Sequence, residues 1–320
     1  MKTTEDFETY FSGELTPTLQ QLESERKKGV QMMWLIILSI VVGIGLAIAT
    51  AVLRIHFVGY ILAGLVFLAG TIVFGIKLRR IKRDVKIHYK ENVIKKIVEF
   101  IDPHLNYNAT SCISQGEFEQ SKIFLQRAER YKGDDLVQGT IGKTAVRFSE
   151  IHSEYYTTDK DGKRKYHTIF KGIFFIADFN KDFIGETIVL PDTAEKLFGK
   201  LGKFFQKMNI SRPKLIKLED PIFEKAFAVY GTDQVEARYI LTPALMSRIM
   251  EFKRKSGRIH LSFLHSSVYI AISERKNLFE PPFMKSMLDF DIVEGYFNYL
   301  QLSVQIVEDL NLNTRIWSKE

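Results

Sequence analysis

The sequence predicts an α+β protein: an N-terminal helical arm, a two-helix transmembrane hairpin with a stem helix, then a mainly antiparallel sheet domain with packed helices. Three observations carry that expectation. Two long uncharged apolar runs follow each other near the N-terminus. After residue 104, strand-like segments succeed one another through short turns without regular helical crossovers. Capped segments with apolar stripes of helical period lie among them. The chain divides accordingly into a cytosolic helical arm (1–31), the hairpin (32–76), a basic stem (77–103) and one cytosolic α+β domain (104–320).

In the arm, residues 5–29, a helix places Phe7, Tyr10, Phe11, Leu15, Leu19 and Leu22 roughly on one side. Gly13 and Pro17 interrupt it and predict a kink. Met32–Leu53 and Phe57–Ile76 then hold 22 and 20 residues without a charge. Each matches the ~20 apolar residues that cross a hydrocarbon core, and buried core helices seldom stay uncharged so long. The link Arg54-Ile55-His56 is short enough to force a tight antiparallel hairpin. Arg26, Lys27 and Lys28 precede the first run; Lys77, Arg79, Arg80, Lys82 and Arg83 follow the second. Bases on both flanks place both termini in the cytoplasm. Trp34 and Tyr60 lie near span ends, and Gly43, Gly45, Gly59, Gly64, Gly70 and Gly75 mark close helix approaches. Neither run contains Asp, Glu, Lys or Arg, which argues against an ion path and for an anchor. The stem continues the second run with the stripe Ile94, Ile97, Val98 and Ile101, and Pro103 stops it. Arm and stem leave the same membrane face, and their opposite charge bias predicts that they pack together.

The formal charge of +7 and pI of 9.2 are juxtamembrane properties. Residues 1–25 carry net −5, residues 77–99 hold nine basic against three acidic groups, and everything from residue 100 onward sums to only +2. That distribution does not suggest a nucleic-acid-binding domain, and no nucleic-acid partner is expected. The partners expected are the lipid bilayer and another membrane or cytosolic protein. Lys77, Arg79, Arg80, Lys82 and Arg83 are the candidate contacts for anionic lipid.

In the domain, Ser114 and Glu117 have capping-box spacing. Residues 134–155 read as two strands and 166–178 as one long apolar strand, with Asp161-Gly162 as a hairpin turn. Asp192 and Glu195 cap a helix with the stripe Ala194, Leu197, Phe198, Leu201, Phe204, Phe205 and Met208. Its opposite face is a basic ridge, Lys196, Lys200, Lys203 and Lys207. Thr242-Pro243 opens another helix. Residues 258–273 form the clearest hairpin, with Arg258, His260 and Ser262 alternating with Ile259, Leu261 and Phe263. A buried helix spans about 290–311.

No assembled catalytic motif is present: no G-x-G-x-x-G after a strand, no P-loop, no G-x-S-x-G and no H-E-x-x-H. No cofactor is expected. The single cysteine, Cys112, excludes an intramolecular disulfide framework and a multi-cysteine zinc site, and nothing beside it in sequence activates it. Asp178-Phe179-Asn180-Lys181-Asp182 matches the first positions of a calcium loop, but Phe183 and Val189 stand where Gly and Glu are needed, so it reads as a turn. His260 and His265 flank a hairpin turn without ligand spacing. Candidate pocket residues are Asp134, Asp135, Glu150 and Arg238. Two carboxylates can share acid–base work when one is desolvated, but neighbours on a strand point opposite ways, so Asp134 and Asp135 form no ready dyad.

Several stretches resemble an uncharacterised bacterial two-span membrane family, the domain of unknown function with serial three-one-three-seven. They begin with the arm residues Phe7, Tyr10, Leu15, Pro17, Leu19, Leu22, Glu23 and Arg26 and the hairpin. They continue in Tyr131–Gly139, Phe148-Ser149-Glu150, Phe170-Lys171-Gly172, Asp178-Phe179 with Gly185, and Val235–Pro243. The resemblance implies a bacterial inner-membrane protein, multi-pass with a cytosolic α+β domain, and carries over no catalytic residue. Gly139, Gly172 and Gly185 read as bulges, turns or close approaches. Glu236 and Arg238 read as strand residues, an outward pair or a binding edge. The function expected is a membrane-anchored binding or scaffold module. The alternatives are a membrane-associated enzyme using an unrecognised carboxylate/Arg site and a lipid-handling protein.

Overall fold

The computed structural model describes residues 2–52, 57–179, 182–192, 212–310 and 312. The chain forms two compact units: Met1–Ile97 with Phe279–Tyr296, and Val98–Leu278 with Phe297–Glu320.

The first unit is helical. Helix α1 (Thr4–Tyr10) starts at a capping box in which Thr3 and Asp6 satisfy each other's backbone amides. Between it and α2 (Thr16–Val52) lies a π-helical turn, Phe11–Leu15. The kink expected at Gly13 and Pro17 is therefore absorbed rather than broken. The Thr16 amide reaches back to the Phe11 carbonyl, five residues away, and this wider turn accommodates a proline that has no N–H to offer. Helix α3 (Phe57–Tyr89) passes through a second π turn, Lys90–Ile94, into α4 (Lys95–Ile101), which ends before Pro103 as expected.

Phe7, Phe11, Leu15, Leu19 and Leu22 of the arm are buried, as are Tyr89, Val93, Ile94 and Ile97 of the stem. The Tyr10 hydroxyl donates to the Lys96 carbonyl at 3.3 Å. That bond ties arm to stem, while Phe7 and Phe11 pack against the Phe290 ring and Tyr89 against the Tyr296 ring. Helices α2 and α3 pair in antiparallel register: a Cβ on Gly29 would stand 3.2 Å from Ile81, and one on Gly43 would stand 2.7 Å from the Phe67 ring. Fourteen residues forward on one helix match fourteen back on the other. Of the other glycines expected to mark close approach, Gly45, Gly64, Gly70 and Gly75 have nothing within 4 Å of an added Cβ, so they make no such approach. Among the described residues one helix, over Thr4–Ala49, is long and apolar enough to cross a membrane, with a mean hydropathy of 2.6 in its apolar window.

The second unit is built on one antiparallel sheet. Its strands are β1 (Leu105–Asn108), β2 (Arg130–Ile141), β3 (Thr144–Thr158), β4 (Arg164–Asp178), β5 (Thr187–Pro191), β6 (Lys214–Ile216), β7 (Phe227–Gly231), β8 (Ile259–Leu264) and β9 (Ser267–Ser273). They lie in the order β1-β2-β3-β4-β9-β8-β5-β7-β6, and the paired neighbours run antiparallel. Helix α5 (Gln115–Gln120) carries the expected Ser114–Glu117 capping box. Helices α6 (Pro221–Ala226), α7 (Gln234–Ile240), α8 (Pro243–Ser256) and α9 (Phe290–Asp309) complete the described elements. Thr242 caps α8 as expected, and Gly162 closes the 158–164 hairpin with a φ of +76°.

Phe118, Ile123, Ile151, Phe170, Phe174, Leu190 and Leu264 form a core on one sheet face. On the other face Ile173, Phe175, Ile259, Leu261, Phe263, Val268, Ile270 and Ile272 are all buried. Sequence alternation in β8 implied a solvent side at His260 and Ser262. Both are buried instead, because the central strands are covered on both faces.

Candidate functional site

The strongest constellation arises where β2 loses register. Asp134 stands opposite Glu150 and Val137 opposite Phe148, so Asp135 and Leu136 together face the single residue Ser149. This is a β-bulge, and Asp135 adopts a φ of +60°, a conformation Asp tolerates better than most residues. The segment before α5 pins it. Leu136 N–H donates to the Ser111 carbonyl (3.1 Å), and Ile113 N–H donates to the buried Ser149 hydroxyl (3.0 Å). Gly133 allows that approach: a Cβ there would lie 2.5 Å from the Glu150 carbonyl and 2.7 Å from the Cys112 Cβ.

The bulge cancels the alternation that would send adjacent side chains to opposite faces. Carboxylate oxygens of Asp134, Asp135 and Glu150 converge within 4.8 Å of one another. Strand geometry without the bulge argued against this convergence, and the structure corrects it. Asp135 and Glu150 are buried; the Tyr107 hydroxyl donates to Asp135 Oδ1, and Leu278 N–H donates to Glu150 Oε2 at 2.8 Å. Burial, then the negative charge of Asp134, pushes the Cys112 thiol up, so it stays protonated at neutral pH, in keeping with an unactivated cysteine. Burial first, then nearby charge, also holds the Tyr131 and Tyr299 hydroxyls well above their ordinary range; Glu150 contributes at Tyr299. An oxygen-only donor set of this kind suits a hard cation.

Arg238 is not part of this group. Residues 234–240 form α7, not a strand, because the Asp233 carboxylate accepts from the Val235 and Glu236 amides and caps a helix. The Arg238 guanidinium donates to the Lys217 carbonyl, just beyond β6. Six strand spacings, roughly 29 Å, separate β3 from β6 across the sheet. Arg238 and these carboxylates therefore share no site. Glu236 is a structural clamp: its two carboxylate oxygens accept from the Ile184 and Gly185 amides at 2.9 and 2.7 Å. A Cβ on Gly185 would fall 2.6 Å from Thr232 Oγ1, so this position needs glycine for space.

Two open depressions in the second unit have volumes of about 700 and 500 Å³. His104, Gln138, Arg147 and Asp178 line the first, and Lys225, Lys253, Arg254 and Arg258 the second, so neither takes in the converging carboxylates.

His260 is enclosed beside the Phe124 ring, 5.3 Å between centroids, and its Nδ1 lies 3.5 Å from the Ala271 carbonyl. Burial drives its pKa down to about 4, with the Arg258 and Arg212 charges acting the same way, so it is a neutral core residue. His265 occupies the tight turn at a φ of +56°. In the stretch resembling a calcium loop, Asp178 closes β4 opposite Ser267 and Phe183 is buried, while Asn180 and Lys181 lie outside the described residues. The helix expected from Asp192 with its lysine ridge, Lys196, Lys200, Lys203 and Lys207, also lies outside them from residue 193 on. Lys77, Arg79, Arg80, Lys82 and Arg83 are exposed along α3.

Sequence reasoning overlooked a second polar constellation, in the first unit. Arg26 Nε and Nη2 donate to the two Glu23 carboxylate oxygens at 2.8 and 2.7 Å, and Nη1 donates to the Phe283 carbonyl at 2.9 Å. Met287 N–H donates to Glu23 Oε2 at 3.0 Å. The Arg26 hydrogen bond holds the Glu23 carboxyl below its usual range. The i,i+3 spacing of Glu23 and Arg26 was the available signal; their partners in 283–287 had none.

Residues 168–312 match the family described as "Protein of unknown function (DUF3137)". No curated protein matches the chain. The crystal structure of the mycobacterial trehalose monomycolate transport factor A, TtfA, aligns with a TM-score of 0.34 and 10% identity, over 68% of this chain and 96% of that one. A score of that size assigns neither fold nor activity.

Proposed function

We propose that this protein is a membrane-anchored scaffold: α2 and α3 cross a bacterial inner membrane as a hairpin, both termini are cytoplasmic, and the sheet unit binds a protein partner. One observation carries the anchor. Along the uncharged runs, large apolar side chains find no protein cover: Trp34, Val41, Ile48, Leu65 and Ile76 are 55–60% exposed. Apolar surface of that extent is stable in hydrocarbon and costly in water, and helices satisfy their own backbone there. The exposed bases Lys77, Arg79, Arg80, Lys82 and Arg83 then fall at the cytoplasmic headgroup layer. Reporters fused before Met1 and after Glu320 are expected to read as cytoplasmic, and a periplasmic signal from either would overturn the orientation.

The binding surface is supported at the β6 end of the sheet. Among the described residues β6 is the terminal strand, and Leu215, Ile222, Val235 and Tyr239 around it are 47–78% exposed, with Ile184 at 98%. An open strand edge ringed by apolar side chains is a template for a protein partner. Affinity capture of the detergent-solubilised full chain should yield a stoichiometric protein that is lost with Val235→Asp and Leu215→Asp. Identical captured species from wild type and both variants would sink this surface as the binding edge.

A further inference from the structure

The loop between β9 and α9 rises along the hairpin and turns back at a defined level. Glu280 is held low, by Lys86 Nζ at 2.6 Å and by the buried Lys90 Nζ at 3.4 Å. Three residues on, Phe283 sits against Gly29, itself beside Ile81: a Cβ on Gly29 would lie 3.0 Å from the ring, so the missing side chain leaves it room. Lys82 Nζ stands 4.1 Å from the centroid of the same ring. Arg26 anchors the Phe283 carbonyl, and by Met287 the chain has descended to the level of Glu23. The apex is therefore Phe283-Met284-Lys285. Its flanks are pinned, yet Met284 is 67% exposed.

Helical rise locates that apex relative to the apolar runs. Gly29 lies three residues before Met32, about 4.5 Å along the axis, and Lys82 lies six residues beyond Ile76, about 9 Å. Glu23 and Lys86 are about 14–15 Å away by the same measure. An interfacial side chain reaches ~5–10 Å into the boundary of headgroups and acyl chains, and each headgroup layer adds only ~5–7 Å to the hydrocarbon core.

We infer that Phe283-Met284-Lys285 is a third membrane contact: Met284 enters the headgroup–acyl boundary of the cytoplasmic leaflet, with Lys285 among anionic phospholipid headgroups. This rests on the hairpin's crossing the bilayer. A methionine exposed at the tip of a rigidly held loop, beside a lysine and at headgroup depth, fits a lipid surface: the thioether is apolar and adaptable, and the ammonium stays hydrated. The contact would fix the roll of the hairpin, which two helices alone leave free.

The test uses the full chain, with Cys112→Ser, in nanodiscs containing phosphatidylglycerol and lipids carrying a nitroxide either near the top or at the end of the acyl chain, the first read at Met284→Cys and the second at Val41→Cys. A bimane fluorophore is attached at Met284→Cys, at Val41→Cys within the apolar run, or at the exposed arm position Glu8→Cys. Glu8 lies 24 residues, about 36 Å of helix, from Met32. Met284→Cys should be quenched several-fold more strongly than Glu8→Cys. Quenching at Val41→Cys with none above the Glu8→Cys level at Met284→Cys would overturn the loop contact and leave the anchor standing. Absence of quenching at Val41→Cys would overturn the anchor, and the loop contact with it.

Discussion

Replacing Gly172 by alanine is expected to cost about 3–5 kcal/mol, combining backbone strain of about 1–3 kcal/mol with overpacking of a similar size. Gly172 sits in β4 at a φ of +145°, and a Cβ there would fall 2.0 Å from the Ile272 carbonyl oxygen and 2.7 Å from the Glu274 amide. Those atoms are backbone of the paired strand β9 and of the residue just past its end, so no side-chain rotation relieves the contact. The Glu274 amide already donates to the Lys171 carbonyl, and moving either strand opens the middle of the sheet. Gly162→Ala is the control: its φ of +76° is also left-handed, but nothing lies within 4 Å of the added methyl, so the loss should be about 1–2 kcal/mol. Urea unfolding of the detergent-solubilised chain, followed by the sheet signal in the far ultraviolet, separates the two. Equal midpoints for the variants would refute the close-approach account.

Arg26→Met is expected to cost about 2–4 kcal/mol in the first unit, since it leaves the buried Glu23 carboxylate only the exposed Lys27 ammonium, 4.0 Å away, as a cation. Glu23 and Arg26 are 5% and 8% exposed. The variant also frees the Phe283 carbonyl and loosens the hold on Met287, so residues 281–288 should lose protection against hydrogen exchange. The double variant Glu23→Leu/Arg26→Met should recover most of the stability, because it removes the stranded charge while keeping apolar volume. Protection at 281–288 unchanged in Arg26→Met would show that the pair does not hold the loop. The same contact sets an acid limit. Glu23 has a depressed pKa in the folded chain, so its contribution is complete above the ordinary glutamate value of about 4.3 and is lost as pH falls below it through the folded value.

What the sequence by itself determined was local. Ser114 with Glu117, Thr242 with Pro243, and Asp161-Gly162 each carry their own stop or start, because the cap or turn needs only atoms a few residues away. The two uncharged runs mark their helices for the same reason, and the alternation of 258–273 was enough to recognise a hairpin. Even the misread stretch 234–240 held its signal in Asp233, whose capping outweighed the strand propensity of Val235, Tyr239 and Ile240.

Tertiary structure alone decided what depends on partners far along the chain. Alternation in β8 could not reveal that both faces are covered, so His260 became a neutral core residue. Asp134, Asp135 and Glu150 were nameable from sequence, but their convergence depends on a bulge held by Ser111 and Ile113 from outside the strand. Glu23 and Arg26 find their backbone partners 264 and 257 residues away. No local pattern encodes such pairings, since their free energy is realised only after the chain has closed those loops and excluded water from the contact.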